Sequence, residues 1–205
     1  VRELDLVVAS HPHPDHIGGL GAVLEAFPVA ELWVCWHEDD NPWLDDLLAR
    51  AGRRGVPVRW PRSLTLDGVT IDALWPPGYS EQGHRLCADP ALGDNDNSVL
   101  LRVSYAGRRV LLPGDIERVA EQELLLRRGR AALRADVIKV PHHGSDSSSS
   151  AAFLAAVRPR LAVISCGQHN RFGFPAPGVL ARYGAVGARV VRVDRVGAVG
   201  VSIDA

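Results

Sequence analysis

Short apolar runs alternate along this chain with longer stretches in which apolar residues recur every three or four positions. Leu4–Ala9 is an almost unbroken apolar run, Ile17–Phe27 has helical spacing up to Pro28, and Ala30–Trp36 is apolar again. Together they predict strand, helix and strand, an order that implies parallel neighbours. Asn41-Pro42 is a cap and first-turn pair for a helix running to Arg54, where Gly55 stops it, and Val56–Trp60 follows as a short strand. Leu64–Leu66 and Val69–Trp75 flank Asp67-Gly68, the signal of a tight hairpin.

Pro76–Asn97 shows little periodicity and is expected as a long loop, a length that in compact domains usually carries function or disorder. After it, Ser98–Ser104 and Arg109–Leu112 are expected to pair across Ala106-Gly107, with helix Ile116–Arg128 beyond. The strand Ala135–Val140, a helix capped by Ser147–Ser150 and running to Val157, the strand Leu161–Ser165 and a helix Gly178–Tyr183 continue the alternation. A final strand pair, Arg189–Asp194 and Ala198–Ile203, is expected to close the chain. No internal repeat interrupts the pattern, and strands alternating with helices over 205 residues predict one α/β domain spanning 1–205.

Composition changes this picture little. The chain is 46% hydrophobic and 23% charged with a formal net charge of −1, ordinary values for a soluble domain. No apolar run approaches the ~20 residues of a membrane span. Arginines bunch at Arg50–Arg62, Arg127–Arg134 and Arg189–Arg195, most simply as solvated faces. Cys35, Cys87 and Cys166 are odd in number and irregularly spaced, so they are expected as packing residues and not as a disulfide framework or CxxC metal site. The absence of Met and the start at Val1, directly before a strand, suggest a fragment of a longer protein.

Candidate chemistry sits at the strand ends. Ser10–Gly19 reads SHPHPDHIGG, with three of the eight histidines and an aspartate inside His11–His16. Imidazole and carboxylate together suit divalent zinc, manganese or iron. Spacing of two puts His11 and His13 on one side of an extended segment, Asp15 and His16 come around the bend, and Pro12 and Pro14 restrict the backbone between them. Two metals about 3.5–4 Å apart could share such a turn. Asp115 follows a buried strand and a glycine, a costly place for a charge unless something pairs it; bridging two metals would do so, and capping the next helix is the alternative. His142-His143 and the His169 loop also follow strands, and in layered α/β folds loops at one sheet edge gather into a site.

The HxHxDH pattern of His11, His13, Asp15 and His16 resembles the metallo-β-lactamase superfamily. SVLLRVSYAGRRVLLPGDIE, ADVIKVPHHGSDSSSSAAFLAAVRP and AVISCGQHNRFGFPAPGVLARY look like the C-terminal metallo-β-lactamase-like domain of ComEC-type DNA-internalisation (competence) proteins. The resemblance implies an αββα sandwich, here lacking its first N-terminal strands, and two divalent ions, zinc or manganese. His11 and His13 would bind one ion, Asp15 and His16 the other, and Asp115 would bridge them. His143 or His142 would complete the shell or act as general acid, so Asp15, His142 and His143 are the candidate catalytic residues. Asp94 or Asn97 would stand where related hydrolases carry a histidine, and His169 and Asn170 are further candidates. Phe174 occupies a position that is often histidine in the family.

The expected function is a metal-dependent phosphodiesterase or nuclease acting on a DNA strand during uptake, within a bacterial inner-membrane protein whose membrane-spanning region lies outside this chain. Two other readings remain open at this point: hydrolysis of a small ester, lactone or thioester in a closed pocket, and a non-catalytic domain that guides DNA or docks partners.

Overall fold

A computed structural model describes residues 1–35, 41–77, 88–89 and 91–204, which pack as two compact units, Val1–Arg62 with Trp75–Val99 and Ser63–Leu74 with Leu100–Ala205. Much of the expected loop 76–97, together with Trp36 and Cys87, lies outside the described residues.

In the first unit, β1 (Val7–Ala9), β2 (Leu32–Val34) and β3 (Val58–Arg59) form a parallel sheet in that order, with Val7 opposite Leu32 and Trp33 opposite Arg59. The first strand is shorter than its apolar run, and Leu4 makes only an isolated bridge to Val29. The helix expected over Ile17–Phe27 is two helices, α1 (Pro14–Ile17) and α2 (Leu20–Ala26), because Gly18 and Gly19 interrupt the chain between them. In α3 (Pro42–Arg54) the expected signals are at work: Asn41 Oδ1 accepts from the amides of Trp43 and Leu44, both at 3.1 Å, and Gly55 ends the helix at φ 66°. Leu24, Leu32, Leu47 and Ala51 form the centre of a core in which each large side chain contributes about 1.5–3 kcal/mol of burial.

The second unit is built on a seven-stranded sheet, ordered β10 (Arg189–Arg192), β9 (Leu161–Ile164), β8 (Val137–Lys139), β7 (Arg108–Leu112), β6 (Leu100–Tyr105), β5 (Val69–Trp75), β4 (Leu64–Leu66). The β4–β5 and β6–β7 pairs are antiparallel hairpins turned at Asp67-Gly68 and Ala106-Gly107, all four at positive φ as such turns require. From β7 to β10 the strands are parallel, joined through α4 (Arg118–Leu133), α5 (Ala151–Val157) and α6 (Pro177–Ala185). Helix α4 starts later than expected, with Glu117 and not Asp115 at its cap, so capping does not explain Asp115. It also breaks at Gly129, which has φ 73°. Helix α5 begins as the serine run predicts, Ser150 Oγ accepting from the Phe153 amide. The final strand over 198–203 is absent; Val193–Val196 coils into one helical turn, α7, and residues 198–204 form no strand. That segment follows Gly197 at φ 76° and is largely exposed, so no sheet edge draws it into a ladder.

The cysteines also depart from expectation. Cys35 is disulfide-bonded while Cys166 is a free thiol. Spacing along the chain says nothing about which thiols meet in space, the geometry a disulfide needs. Among the described residues no helix is long and apolar enough to cross a membrane.

Candidate metal centre

One candidate ligand cluster, in the first unit, is a single turn between β1 and α1. His13 is the extended residue before the helix and Pro14 occupies its first turn, so both ring-bearing residues before the helix are held on restricted backbone. His11 is buried, 2% exposed, although it leaves a strand end. Its Nε2 lies 3.1 Å from His13 Nδ1, and its ring centroid is 4.6 Å from that of His13 and 4.1 Å from that of His16. Ser10 Oγ is 3.2 Å from both His11 Nδ1 and His16 Nδ1, and Ser98 Oγ meets His11 Nδ1 at 3.2 Å. The hydroxyls therefore gather on the Nδ1 side of His11, and Nε2 faces the other imidazoles. Carboxylates border the cluster: Asp15 Oδ2 is 3.6 Å from His16 Nε2, and Asp94 Oδ2 is 3.7 Å from His13 Nε2. Three ring nitrogens flanked by two carboxylates is a donor set that fits a zinc-like ion.

Asn97 is engaged otherwise. Its Oδ1 accepts from the Asp89 amide at 2.7 Å, and its Nδ2 donates to the carbonyls of Asp89 and Leu92. The side chain clasps its own loop and so holds Ser98 where it reaches His11.

A second candidate cluster, in the second unit, is gathered by three neighbouring parallel strands. Asp115 follows β7, Lys139 ends β8 with His142 and His143 just beyond, and Ser165 follows β9. Asp115 is buried, 2% exposed, and is not alone: Lys139 Nζ donates to Oδ1 at 2.9 Å and to the Gly114 carbonyl at 3.0 Å, while His143 Nε2 lies 3.2 Å from Oδ2. His143 Nδ1 donates to the Ser165 carbonyl at 2.7 Å, which fixes a proton on Nδ1, since a carbonyl only accepts. Nε2 also faces a carboxylate, so in the metal-free protein both ring nitrogens donate, and release of the Nε2 proton gives the form in which histidine serves as a ligand with its other nitrogen held by a carbonyl. The hydrogen bond to Asp115 is the main cause of a raised His143 pKa, opposed by burial.

His142 faces a different carboxylate. Its Nδ1 is 2.9 Å from Glu117 Oε1, the same oxygen that accepts from Ser147 Oγ at 2.8 Å. Both histidines are left-handed, His142 at φ 46° and His143 at φ 52°, a conformation costing roughly 1–2 kcal/mol per residue without a glycine. Two consecutive strained residues persist only where their surroundings hold them. Gly144 supplies part of that constraint: at φ 88°, a Cβ there would lie 2.5 Å from Pro175 Cβ, so the turn packs directly on the loop after β9. In that loop Asn170 Oδ1 accepts from the Phe174 amide and Nδ2 donates to the carbonyls of Phe174 and Gly167. Asn170 is thus a loop clasp, and His169 is exposed at φ 55°.

Sequence reasoning missed Lys139, Glu117 and Ser98. A signal existed for the first, as the one charged residue at the end of the apolar VIKV run. Glu117 and Ser98 carry no such mark, because their partners come from distant segments.

The chain is similar to ComE operon protein 3 of Bacillus subtilis (strain 168), 29% identical over 202 residues, which is 97% of this chain and 24% of that protein. It is likewise similar to Competence protein ComA of Neisseria gonorrhoeae, 33% identical over 198 residues, 97% of this chain and 25% of that one. It therefore spans about a quarter of the length of these curated relatives. Its fold resembles that of Zn(2+)-bound PqqB from Methylobacterium extorquens, with TM-score 0.52, 15% identity and coverage of 92% of this chain and 71% of the other. The profile described as Metallo-beta-lactamase superfamily matches residues 1–169, which include the histidine-rich turn, Asp115 and the His142-His143 pair, and the chain belongs to that superfamily.

Proposed function

We propose that this chain is a dinuclear-metal phosphodiesterase that cleaves a DNA strand during uptake, as one domain of a longer, membrane-anchored protein. The similarity to proteins named for competence supports DNA as the substrate class. The donor sets described above support metal-dependent hydrolysis. In this reading His11 and His13 would hold one zinc or manganese ion, Asp15 and His16 would hold the other, and Asp115 and His143 would be shared with or added to that set. When bound, the ions supply a nucleophilic hydroxide at neutral pH and Lewis acidity toward a phosphoryl oxygen.

The observation that carries the reading is the different tethering of two adjacent histidines. His143 is held through Nδ1 by the Ser165 carbonyl and turns Nε2 to Asp115, where an ion would displace the Nε2 proton, whereas among the described residues His142 is held at Nδ1, by Glu117 and Ser147. Glu117 orients the ring and leaves its Nε2 to give a proton to the departing alkoxide, the role of a general acid. Lys139 holds one oxygen of Asp115 at 2.9 Å.

The test is cleavage of single- and double-stranded DNA by the zinc- or manganese-loaded chain, with a chelator control. Metal-dependent cleavage that disappears in Asp115→Ala is the expected result. Wild-type turnover in Asp115→Ala, or no cleavage by the loaded wild type, would overturn the reading.

A further inference from the structure

Beside His142 the loop after β9 displays a row of rings that the hydrolytic reading does not use. Phe174 meets His142 edge to face at 5.8 Å between centroids. Phe172 lies parallel to Phe174, at 5.4 Å and an interplanar angle of 17°. The Arg171 guanidinium lies 4.9 Å from the Phe172 ring centroid. Even with these two neighbours Phe172 keeps 63% of its surface exposed. Packing does not explain the exposure, and the loop beneath is held firmly by the Asn170 clasp and by the contact between Gly144 and Pro175.

We propose that Phe172, backed by Phe174 and flanked by Arg171, is a stacking platform for a base of single-stranded DNA next to the scissile phosphate, an inference that rests on the phosphodiesterase reading. An exposed aromatic ring beside a guanidinium is the pairing that non-specific single-strand sites use, the ring for a base and the cation for a phosphate. The magnitudes permit it. A guanidinium over an exposed ring is held by about 0.5–1 kcal/mol, and base stacking on an aromatic side chain is worth about 1–3 kcal/mol. A base can therefore take the ring face while Arg171 swings to the backbone. Phe174 then has a role of its own: it joins the platform to His142 through an unbroken row of rings. The surface selects an unstacked strand, because a base paired inside a duplex offers no free face.

The test compares binding of a short labelled oligothymidylate with that of an equally long strand of abasic sites, by fluorescence anisotropy in chelator so that both stay intact. Wild type is expected to prefer the thymidylate. Phe172→Ala should weaken thymidylate binding about tenfold and leave the abasic strand unchanged. Phe172→Trp should restore the preference and Phe172→Leu should not, which separates stacking from simple apolar contact. Arg171→Ala should weaken both strands alike and flatten the salt dependence by about 0.7 in slope. A wild type that does not discriminate the strands, or a Phe172→Ala effect equal on both, would overturn the platform. Cleavage of the abasic strand by the metal-loaded wild type and by Phe172→Ala reports on the chemistry separately. If both cleave it equally while Phe172 proves indifferent to the base, the platform falls and the phosphodiesterase stands; if neither strand is ever cleaved, the phosphodiesterase falls.

Discussion

The histidine-rich turn of the first unit and the Asp115 cluster of the second hold similar ligands by different means. In the turn, the histidines are neighbours in sequence, met at Nδ1 by the hydroxyls of Ser10 and Ser98 and bordered at 3.6 and 3.7 Å by the carboxylates of Asp15 and Asp94. In the cluster, the donors come from three strand ends, and a buried carboxylate is balanced by Lys139 and His143. The carboxylates of the turn are open to water, with side-chain exposures of 62% for Asp15 and 32% for Asp94, so it tolerates the loss of one member. A cluster built around a buried charge does not, since removing a cation leaves an uncompensated carboxylate in a medium that solvates it poorly. The two clusters should therefore respond very differently to substitution.

After the abolition expected for Asp115→Ala, the largest effect is expected at His142. His142→Ala should lower kcat for DNA cleavage by about 10²–10⁴-fold, as for loss of a general acid, with bound metal unchanged by elemental analysis. A parallel loss of metal would make His142 a ligand and remove the distinction from His143.

Next comes the charge-balanced core of the second cluster. Lys139→Met should cost about 3 kcal/mol in the metal-free protein, read by urea unfolding, because Asp115 stays buried with one cation fewer. Ser98→Ala, its counterpart in the histidine turn, should cost only about 1 kcal/mol, the net worth of one hydrogen bond. Equal costs would break the contrast between the clusters.

Glu117 acts through His142 and should behave as a positioning residue. Glu117→Gln is expected to lower kcat by about 10–100-fold, the usual loss for a group that orients a ligand or acid, with KM unchanged and no further loss when combined with His142→Ala. An effect that adds in full to that of His142→Ala would leave Glu117 a structural partner of Ser147.

The smallest effect concerns Glu121, a buried carboxylate in α4 that accepts from the amides of Ser149 and Ser150 and so fastens the segment after His142-His143. Burial raises its pKa, against the opposing pull of those hydrogen bonds. The folded state thus binds this proton more tightly than the unfolded state does. Its contribution to stability is greatest below the ordinary glutamate pKa and falls as pH rises through the raised one. Glu121→Gln, which mimics the neutral form, should lose that decline, so the stability difference between variant and wild type should grow from acid toward neutral pH. A difference independent of pH would show that Glu121 titrates alike in both states.

Sequence alone carried the alternation of strands and helices, the two hairpin turns, the caps of α3 and α5, and the HxHxDH turn, because each depends on residues within a few positions of one another. Side-chain periodicity, cap hydrogen bonds and the φ demands of Asp67-Gly68 are local physics, and local physics is written in local sequence. Where a local signal was overridden, a neighbour did it: Gly18-Gly19 split the expected helix, and the last apolar stretch found no ladder to join. Tertiary structure alone decided what surrounds Asp115, which histidine of the pair faces which carboxylate, that Cys35 is oxidised, and that Phe172 stands exposed over Phe174. Those are outcomes of burial and of contacts between segments far apart in the chain, where the energy of a charge or a ring depends on neighbours that no stretch of sequence names.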